Sequence, residues 1–208
     1  MSSLPASLPG YAELRCLSNF SFLRGASKPE ELVLRAQELG YAALAITDEC
    51  TMAGIVRAHV QAKGCGLKLL IGSQFQVECD PAFNLVVLAC NLNGYGNLCE
   101  FITRLRRASQ KKGTYRLLQS DVTGSELTDC LAIVSPNRSS TPEQLLTLGQ
   151  WTLQQFLGRC WLGVEQLRTL DDEIWLDKLR NLSEATAMGL VAVGDVHMHL
   201  RSRKPLQD

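Results

Sequence analysis

Short apolar runs alternate along this chain with amphipathic stretches, and this alternation restricts the possible folds more than any other feature of the sequence. Most of the runs are too short to form helices, so we predict that they form β-strands. The seven predicted strands are Ala12–Cys16, Ala42–Ile46, Leu67–Val77, Leu85–Cys90, Cys130–Val134, Cys160–Val164 and Leu190–Val193.

The amphipathic stretches between these runs carry start and stop signals for helices. Residues 27–30 (Ser-Lys-Pro-Glu) predict a capping box with an early proline, opening a helix that ends at Gly40. Residues 141–144 (Thr-Pro-Glu-Gln) repeat the signal and open a helix that runs to Leu157. Acidic residues 171–173 predict the start of another helix, which continues to Met188 with Gly189 as its C-terminal stop.

Strands that alternate with helices predict an α/β fold in which parallel strands are joined by crossover helices. Two architectures satisfy this pattern, a closed barrel and an open doubly wound sheet. The chain contains neither GxGxxG nor GxxxxGK[ST], the phosphate loops of nucleotide-binding sheets. This absence favours a TIM-like barrel, in which functional side chains lie at the C-terminal ends of the strands. The polar residues at those ends are 15–19, 48–49, 73–74, 91–93, 135–137, 165 and 195–199.

Composition excludes several classes of protein. The 208 residues are 46% hydrophobic and 20% charged, enough for one large domain or two small ones. Lys plus Arg equal Asp plus Glu at 21 each, so no global charge attracts nucleic acid or a membrane. Eight scattered cysteines, no secretory leader and no bilayer-length apolar run predict a reduced, cytoplasmic protein without membrane contact. Pro5, Pro9 and Gly10 indicate a flexible leader over residues 1–10, followed by a domain over 11–208.

Two of the three histidines follow the last predicted strand, close to Asp195. Strand alternation points Asp195, His197 and His199 the same way, as metal ligands would point. A catalytic site of two or three metals needs ligands from several strand ends, yet His59 lies in a predicted helix over Met52–Lys63. Two interpretations of Asp195 and His197 therefore stay open, a hydrogen-bonded structural remnant and a metal contact. His199 is expected in an exposed loop, and His59 is expected at the surface or partly buried.

Four segments resemble motifs of the polymerase and histidinol phosphatase (PHP) domain, both in their residues and in their order along the chain. They are residues 14–27, 45–49, 71–75 and 194–197. The resemblance implies a distorted (β/α)7 barrel of the PHP type. More narrowly, the chain resembles the N-terminus of bacterial C-family DNA polymerases, which include the DNA polymerase III alpha type. Residues 17–25 and 194–199 are most similar to the error-prone, ImuC-type branch.

The resemblance also implies which positions bind metal in this family. Only Asp195 and His197 carry the family's residues, so a degenerate site is expected, with no metal and no other cofactor in this domain. If a metal binds, the resemblance assigns it to Glu49, Asp195 and His197. In chain order, the implied positions are Arg15, Leu17, Arg24, Glu49, Gln74, Asn84, Asn137, Asp195 and His197.

Arginines at two of these positions suggest that guanidinium charge replaces metal charge. An arginine fixed between Glu49 and Asp195 would compensate both carboxylates through bidentate hydrogen bonds. We therefore predict that Arg15 stabilises the fold and takes no part in catalysis.

The one local run of cations spans residues 104–116. It is interpreted either as the solvated end of a helix or as a DNA contact, in which Tyr115 is available to stack on a base. Residues 201–204 add further cations. The candidate DNA contacts are Arg104, Arg106, Arg107, Lys111, Lys112 and Arg116.

Three functions remain open: a catalytically inactive structural and interaction module, a metal-dependent phosphoesterase or proofreading exonuclease, and a DNA-binding module. The lost ligands favour the first. The resemblance implies a much longer parent polymerase, with magnesium in an active site beyond residue 208, that copies across lesions in the DNA-damage (SOS) response. Its implied partners are the rest of its own chain, DNA, the sliding clamp and the mutagenesis proteins ImuA and ImuB.

Overall fold

The computed structural model describes residues 10–206, so nearly all of the predicted leader lies outside the described residues. All seven predicted strands are present, and their order in the sheet follows the sequence. A bridge between Cys16 and Val196 brings the first and last strands together, which confirms a nearly closed α/β barrel. The strands are β1 (Ala12–Glu13), β2 (Ala43–Ile46), β3 (Lys68–Val77), β4 (Phe83–Ala89), β5 (Cys130–Ser135), β6 (Cys160–Val164) and β7 (Gly189–Ala192).

β4 departs from the predicted all-parallel arrangement. β1, β2 and β3 are parallel to one another, as are β5, β6 and β7, whereas β4 is antiparallel to β3 and β5. The reason is that residues 78–82, between β3 and β4, are too few for a crossover, which takes a dozen or more residues. Residues 91–93 therefore lie at the end of the barrel opposite the mouth, and their assignment to the mouth is wrong. Asn91 instead caps a helix by accepting a hydrogen bond from Gly94 N at 3.0 Å.

Five helices pack around the barrel in the described part of the chain. Short 3-10 turns lie at Gln119–Asp121, between α3 and β5, and at Arg201–Leu206, after β7. None of these helices is both long and apolar enough to cross a membrane. The helices are α1 (Pro29–Glu38), α2 (Ile55–Cys65), α3 (Leu92–Ala108), α4 (Pro142–Phe156) and α5 (Asp172–Thr186).

The predicted helix signals are confirmed for α4 and shifted for α1 and α5. Thr141 caps α4 by accepting from Gln144 N, and its own N–H donates to the Gln144 side chain at 2.8 Å. At α1 the cap position belongs to Lys28, one residue after the predicted Ser27, because the Ser27 hydroxyl is taken by a contact outside the helix. α5 ends at a left-handed Ala187, and Gly189 is the first residue of β7, so the predicted stop at Gly189 is wrong.

The seam between β1 and β7 depends on a buried carboxylate. Glu13 accepts hydrogen bonds from Arg15 N at 2.8 Å and from Gly194 N at 2.9 Å. Because Arg15 N bonds to this side chain, β1 is shorter than the predicted Ala12–Cys16. Main-chain pairing resumes beyond this point, where Leu17 N donates to Val196 O at 2.8 Å.

The barrel interior is filled by a layer of apolar side chains that includes Ala45, Val86 and Ile133. The outer faces of the strands pack against the helices in two larger apolar clusters. At the mouth the interior becomes polar, since Arg15 (2% exposed) and Gln74 (0% exposed) occupy it. Burying a polar side chain is unfavourable unless it is hydrogen-bonded, and burying a charge is unfavourable unless it is paired. These two side chains therefore mark the candidate site.

Candidate functional site

Arg15 is the centre of a buried polar cluster that connects three parts of the barrel mouth. Its Nε donates to Gln74 Oε1 at 3.0 Å, and its Nη1 donates to Glu165 Oε1. Its Nη2 lies 3.3 Å from Asp195 Oδ1. The residues come from β3, from the loop after β6 and from the loop after β7, so one guanidinium joins segments distant in sequence. Arginine suits this role because its planar donors match several acceptors at once.

Asp195 is held in its charged form by its neighbours. Burial acts to raise the pKa of Asp195, but the hydrogen bond with His197 and the charges of Arg15 and Arg24 outweigh burial and lower the pKa. His197 Nε2 lies 3.2 Å from Asp195 Oδ1. Asp195 also has a positive φ of 46°, a conformation that the surrounding contacts must stabilise.

A second cation and carboxylate pair lies at the same mouth. Arg24 Nη1 donates to Glu49 Oε2, and Tyr115 Oη donates to Glu49 Oε1 at 2.7 Å. Burial is the main cause that raises the pKa of Tyr115, to about 12. Two arginines thus share the role that is predicted for a single one: Arg15 meets Asp195, and Arg24 meets Glu49.

Asp48 fixes the loop that carries Arg24, and sequence reasoning missed this role. Its carboxylate accepts from Ser18 N at 2.7 Å, Ser18 Oγ at 2.6 Å and Ser21 Oγ at 2.7 Å. Burial raises the pKa of Asp48 more than these hydrogen bonds lower it. Asp48 was identified only as a residue at the end of β2. The sequence does contain a signal for this role. Ser18 and Ser21 lie three residues apart after the first strand, and serines at this spacing can hydrogen-bond to one carboxylate.

The remaining candidate positions do not join the Arg15 cluster. Leu17 is fully buried as an apolar side chain. Asn137 Oδ1 accepts from Ser139 N and Ser139 Oγ, which closes its own turn. Asn84 is the second residue of β4 at the mouth, where it pairs with Gln76 and Ser135 in the sheet.

The two other histidines differ from each other. His59 is exposed on α2, as predicted. His199, expected to be exposed, is largely buried: its N–H donates to Ser27 Oγ at 3.0 Å, and the same hydroxyl lies 2.7 Å from its Nδ1. The expectation failed because Ser27, taken as a helix cap, packs against this loop.

The residues at the mouth do not fit a metal ion. In residues 10–206 no group of three or more His, Cys, Asp or Glu side chains is arranged to hold one. Asp195, Glu165 and Glu49 are each paired with a guanidinium. The unpartnered polar atom of Gln74 is Nε2, an N–H donor that cannot ligate a cation.

Three of the six cations in residues 104–116 are bonded to other groups of the protein. Arg106 donates to the carbonyl oxygens of Cys50, Glu49 and Gly113 at 3.0, 3.1 and 2.6 Å. Arg104 pairs with Glu126 at 2.7 Å, and Arg116 pairs with Glu78 at 2.8 Å. The other three predicted DNA contacts are exposed: Arg107, Lys111 and Lys112.

The sequence profile of the PHP domain matches residues 13–159, which include Arg15, Glu49 and Gln74. The chain belongs to the PHP family. It is also 51% identical to an error-prone DNA polymerase of Methylococcus capsulatus over 198 residues, which confirms the predicted resemblance. That match covers 95% of this chain and 18% of the relative, so the chain spans about a fifth of that polymerase.

Solved structures confirm the fold of this PHP chain. An amidohydrolase from Chromobacterium violaceum superposes with a TM-score of 0.71 at 16% identity, covering 91% of this chain and 88% of the other. A phosphoesterase from Bifidobacterium adolescentis, described as a possible metal-dependent enzyme, superposes with a TM-score of 0.69 at 15% identity and the same coverage. At such identities the likeness concerns the barrel alone.

Proposed function

We propose that this chain is the PHP domain of an error-prone DNA polymerase and that it serves there as a structural and interaction module without phosphoesterase activity of its own. The observation that carries the proposal is the Arg15 cluster, in which a guanidinium lies among Gln74, Glu165 and Asp195. The cation pairs with both carboxylates, so protein atoms alone compensate part of the negative charge of the mouth.

Hydrolysis of a phosphoester in this fold would require metal ions to activate water and to stabilise the transferred charge. Arg15, Leu17 and Arg24 stand where the family's ligands are implied, and none of these side chains ligates metal. Glu49 and Asp195 remain as oxygen donors, but a metal would first have to displace the paired arginines. The proposal therefore includes no hydrolytic step.

The proposal extends to the parent protein through the relatives, which carry the name error-prone DNA polymerase and are 42–51% identical. The parent would synthesise DNA across lesions during the DNA-damage (SOS) response, in the cytoplasm, with magnesium bound in a polymerase active site outside this chain. Its partners would be the rest of its own chain, DNA, the sliding clamp and the proteins ImuA and ImuB.

The direct test of the proposal is the metal content of the purified chain by mass spectrometry, followed by titration with zinc and manganese while thermal unfolding is recorded. A metal that binds only the folded state raises the melting temperature, by an amount equivalent to about 2.7 kcal/mol at a hundred times its Kd. We expect no stoichiometric metal and no shift.

Two matched variants show whether any metal that is found binds at the barrel mouth. His197→Ala removes the histidine that contacts Asp195, whereas His59→Ala removes an exposed histidine on α2. Stoichiometric metal, with a shift that His197→Ala abolishes and His59→Ala preserves, would contradict the proposal. That result would favour the metal-dependent phosphoesterase.

A further inference from the structure

A groove of about 660 Å³ opens beside the Arg24 and Glu49 pair. One wall is the loop after β1, which contributes Phe20 and Phe22, and the other is the segment around Gly113 and Tyr115. Arg15, Gln74, Glu165 and Asp195 do not line this groove, so it is distinct from the buried Arg15 cluster. Neither the proposed structural role nor the arginine pairs explain why side chains of the groove are exposed.

Phe22 is the most unusual residue of this groove, since 83% of the side chain is exposed. The loop that carries it is rigid in its contacts: Arg24 N and Gly25 N both donate to Ser21 O at 3.0 Å, and the Ser21 hydroxyl donates to Asp48. A Cβ on Gly25 would lie 1.9 Å from Ser18 O, so glycine is required for this close turn. A backbone held in this way lowers the cost of ordering the loop on binding.

The positive charge at this groove comes from residues beside its lining. The lining itself is neutral, with two cations, Arg24 and Arg106, and two carboxylates, Glu49 and Glu78. Both carboxylates are already paired, Glu49 with Arg24 and Glu78 with Arg116. Beside the lining in the sequence, Lys111 and Lys112 precede Gly113, and Arg116 follows Tyr115.

Lys111 and Lys112 supply the exposed part of this charge. They precede Gly113, which lines the groove, and both side chains are exposed. Their loop is ordered, because Thr114 Oγ1 donates to Lys111 O at 2.7 Å and Ser109 Oγ donates to the same carbonyl at 3.1 Å. Exposed lysines on one side of a groove and an exposed aromatic ring on the other are the elements that bind a phosphate backbone and its bases together.

We infer that this groove binds single-stranded nucleic acid, with a base stacked on Phe22 and the flanking phosphates near Lys111 and Lys112. A single strand fits better than a duplex, because an exposed ring needs an unpaired base face to stack on. Tyr115, the residue that the sequence suggested for stacking, is unsuited because its hydroxyl is bonded to Glu49 and its ring packs on Phe75. The inference goes beyond the proposed structural role and does not depend on it.

The test is fluorescence anisotropy of labelled oligo(dT) and oligo(U), each about 15 nucleotides long to cover a typical site. Titrations of the 208-residue chain at several salt concentrations give the affinity and its salt dependence. Lys111→Glu with Lys112→Glu should abolish most of the binding and reduce the salt slope by about 1.4, the value for two phosphates on a single strand. Comparison of the two oligonucleotides shows which sugar the groove prefers.

Two further variants identify the contacts. Lys63→Glu with Lys68→Glu makes the same charge change at the end of α2 and the start of β3, away from the mouth, and should preserve binding. Phe22→Leu keeps an exposed apolar side chain but removes the stacking face, and should weaken binding roughly tenfold. Phe22→Trp should restore it. Circular dichroism melting checks that each variant is folded.

Four outcomes would overturn the inference. They are no binding at low salt, equal losses in the two lysine pairs, an unchanged affinity in Phe22→Leu, and duplex DNA or polyglutamate competing as well as the single strand. The last outcome would indicate a non-specific anion or acidic-peptide surface. None of these variants changes Arg15, Glu165 or Asp195. A negative result for nucleic-acid binding therefore does not affect the metal titration that tests the proposed function.

Discussion

Glu13 lies in the seam between β1 and β7 and Asp195 lies at the barrel mouth, and these two carboxylates are stabilised in opposite ways. Glu13 accepts hydrogen bonds from the Tyr11 hydroxyl and from two backbone N–H groups, all neutral donors. Burial raises the pKa of Glu13 more than these donors lower it. The pKa of Asp195, in contrast, is lowered by His197 and by the charge of Arg15 despite its burial.

The difference shows where this barrel needs a cation. At the seam, a single carboxylate substitutes for missing main-chain pairing, and neutral donors suffice. At the mouth, several acidic side chains converge, and their repulsion and desolvation would destabilise the fold unless a positive charge lies among them. Arg15 supplies that charge in this chain, at a position where the family resemblance implies a metal ligand.

The largest effect is expected from Arg15→Ala. The substitution leaves Gln74, Glu165 and Asp195 without their shared donor, and removing one partner of a buried ion pair costs about 3–5 kcal/mol. Urea unfolding monitored by circular dichroism measures the loss. Lys63→Ala, on the exposed surface of α2, is the control and should change the free energy of unfolding by no more than about 0.5 kcal/mol.

A smaller effect is expected from Arg24→Ala, which removes the other guanidinium of the mouth. The Arg24 side chain is 37% exposed, and Glu49 keeps the hydrogen bond from Tyr115. Exposed ion pairs contribute about 0–1 kcal/mol, so the same urea experiment should show a loss in that range. A loss equal to that of Arg15→Ala would mean that burial does not distinguish the two pairs.

The smallest effect is expected from Glu13→Gln, because the amide oxygen can still accept from both backbone N–H groups. The sign of its pH dependence follows from the raised pKa of Glu13. The folded state binds this proton more tightly than the unfolded state, so the wild type gains stability relative to the variant as pH falls through the folded pKa. The gain should level off below the ordinary value of 4.5. A wild type that instead loses stability relative to the variant over this range would contradict the assignment.

The fold was predictable where local pattern decides it. Apolar runs located all seven strands, and Thr141 with Gln144 located the start of α4. The direction of β4 was not obtained, although the short gap between the third and fourth predicted runs already excluded a crossover helix. The length of a connection carries information on strand direction that the alternation of elements does not.

The residues of the candidate site were predictable from the sequence, but the contacts between them were less so. The rule that strand ends converge correctly placed Arg15, Gln74, Glu165 and Asp195 at one mouth. It could not show that Arg15 reaches Glu165, because that contact depends on how the barrel closes. For the same reason the sequence could not show that Arg106 turns toward the carbonyls after β2.

The most direct test of charge compensation by Arg15 compares the stabilities of two variants by urea unfolding at neutral pH. Arg15→Met is compared with the triple variant Arg15→Met, Glu165→Gln and Asp195→Asn, which removes the cation and both carboxylate charges together. If Arg15 compensates these carboxylates, the single variant is destabilised by about 3–5 kcal/mol and the triple variant recovers most of that loss. An unchanged stability in the single variant, or a triple variant that is the less stable of the two, would contradict it.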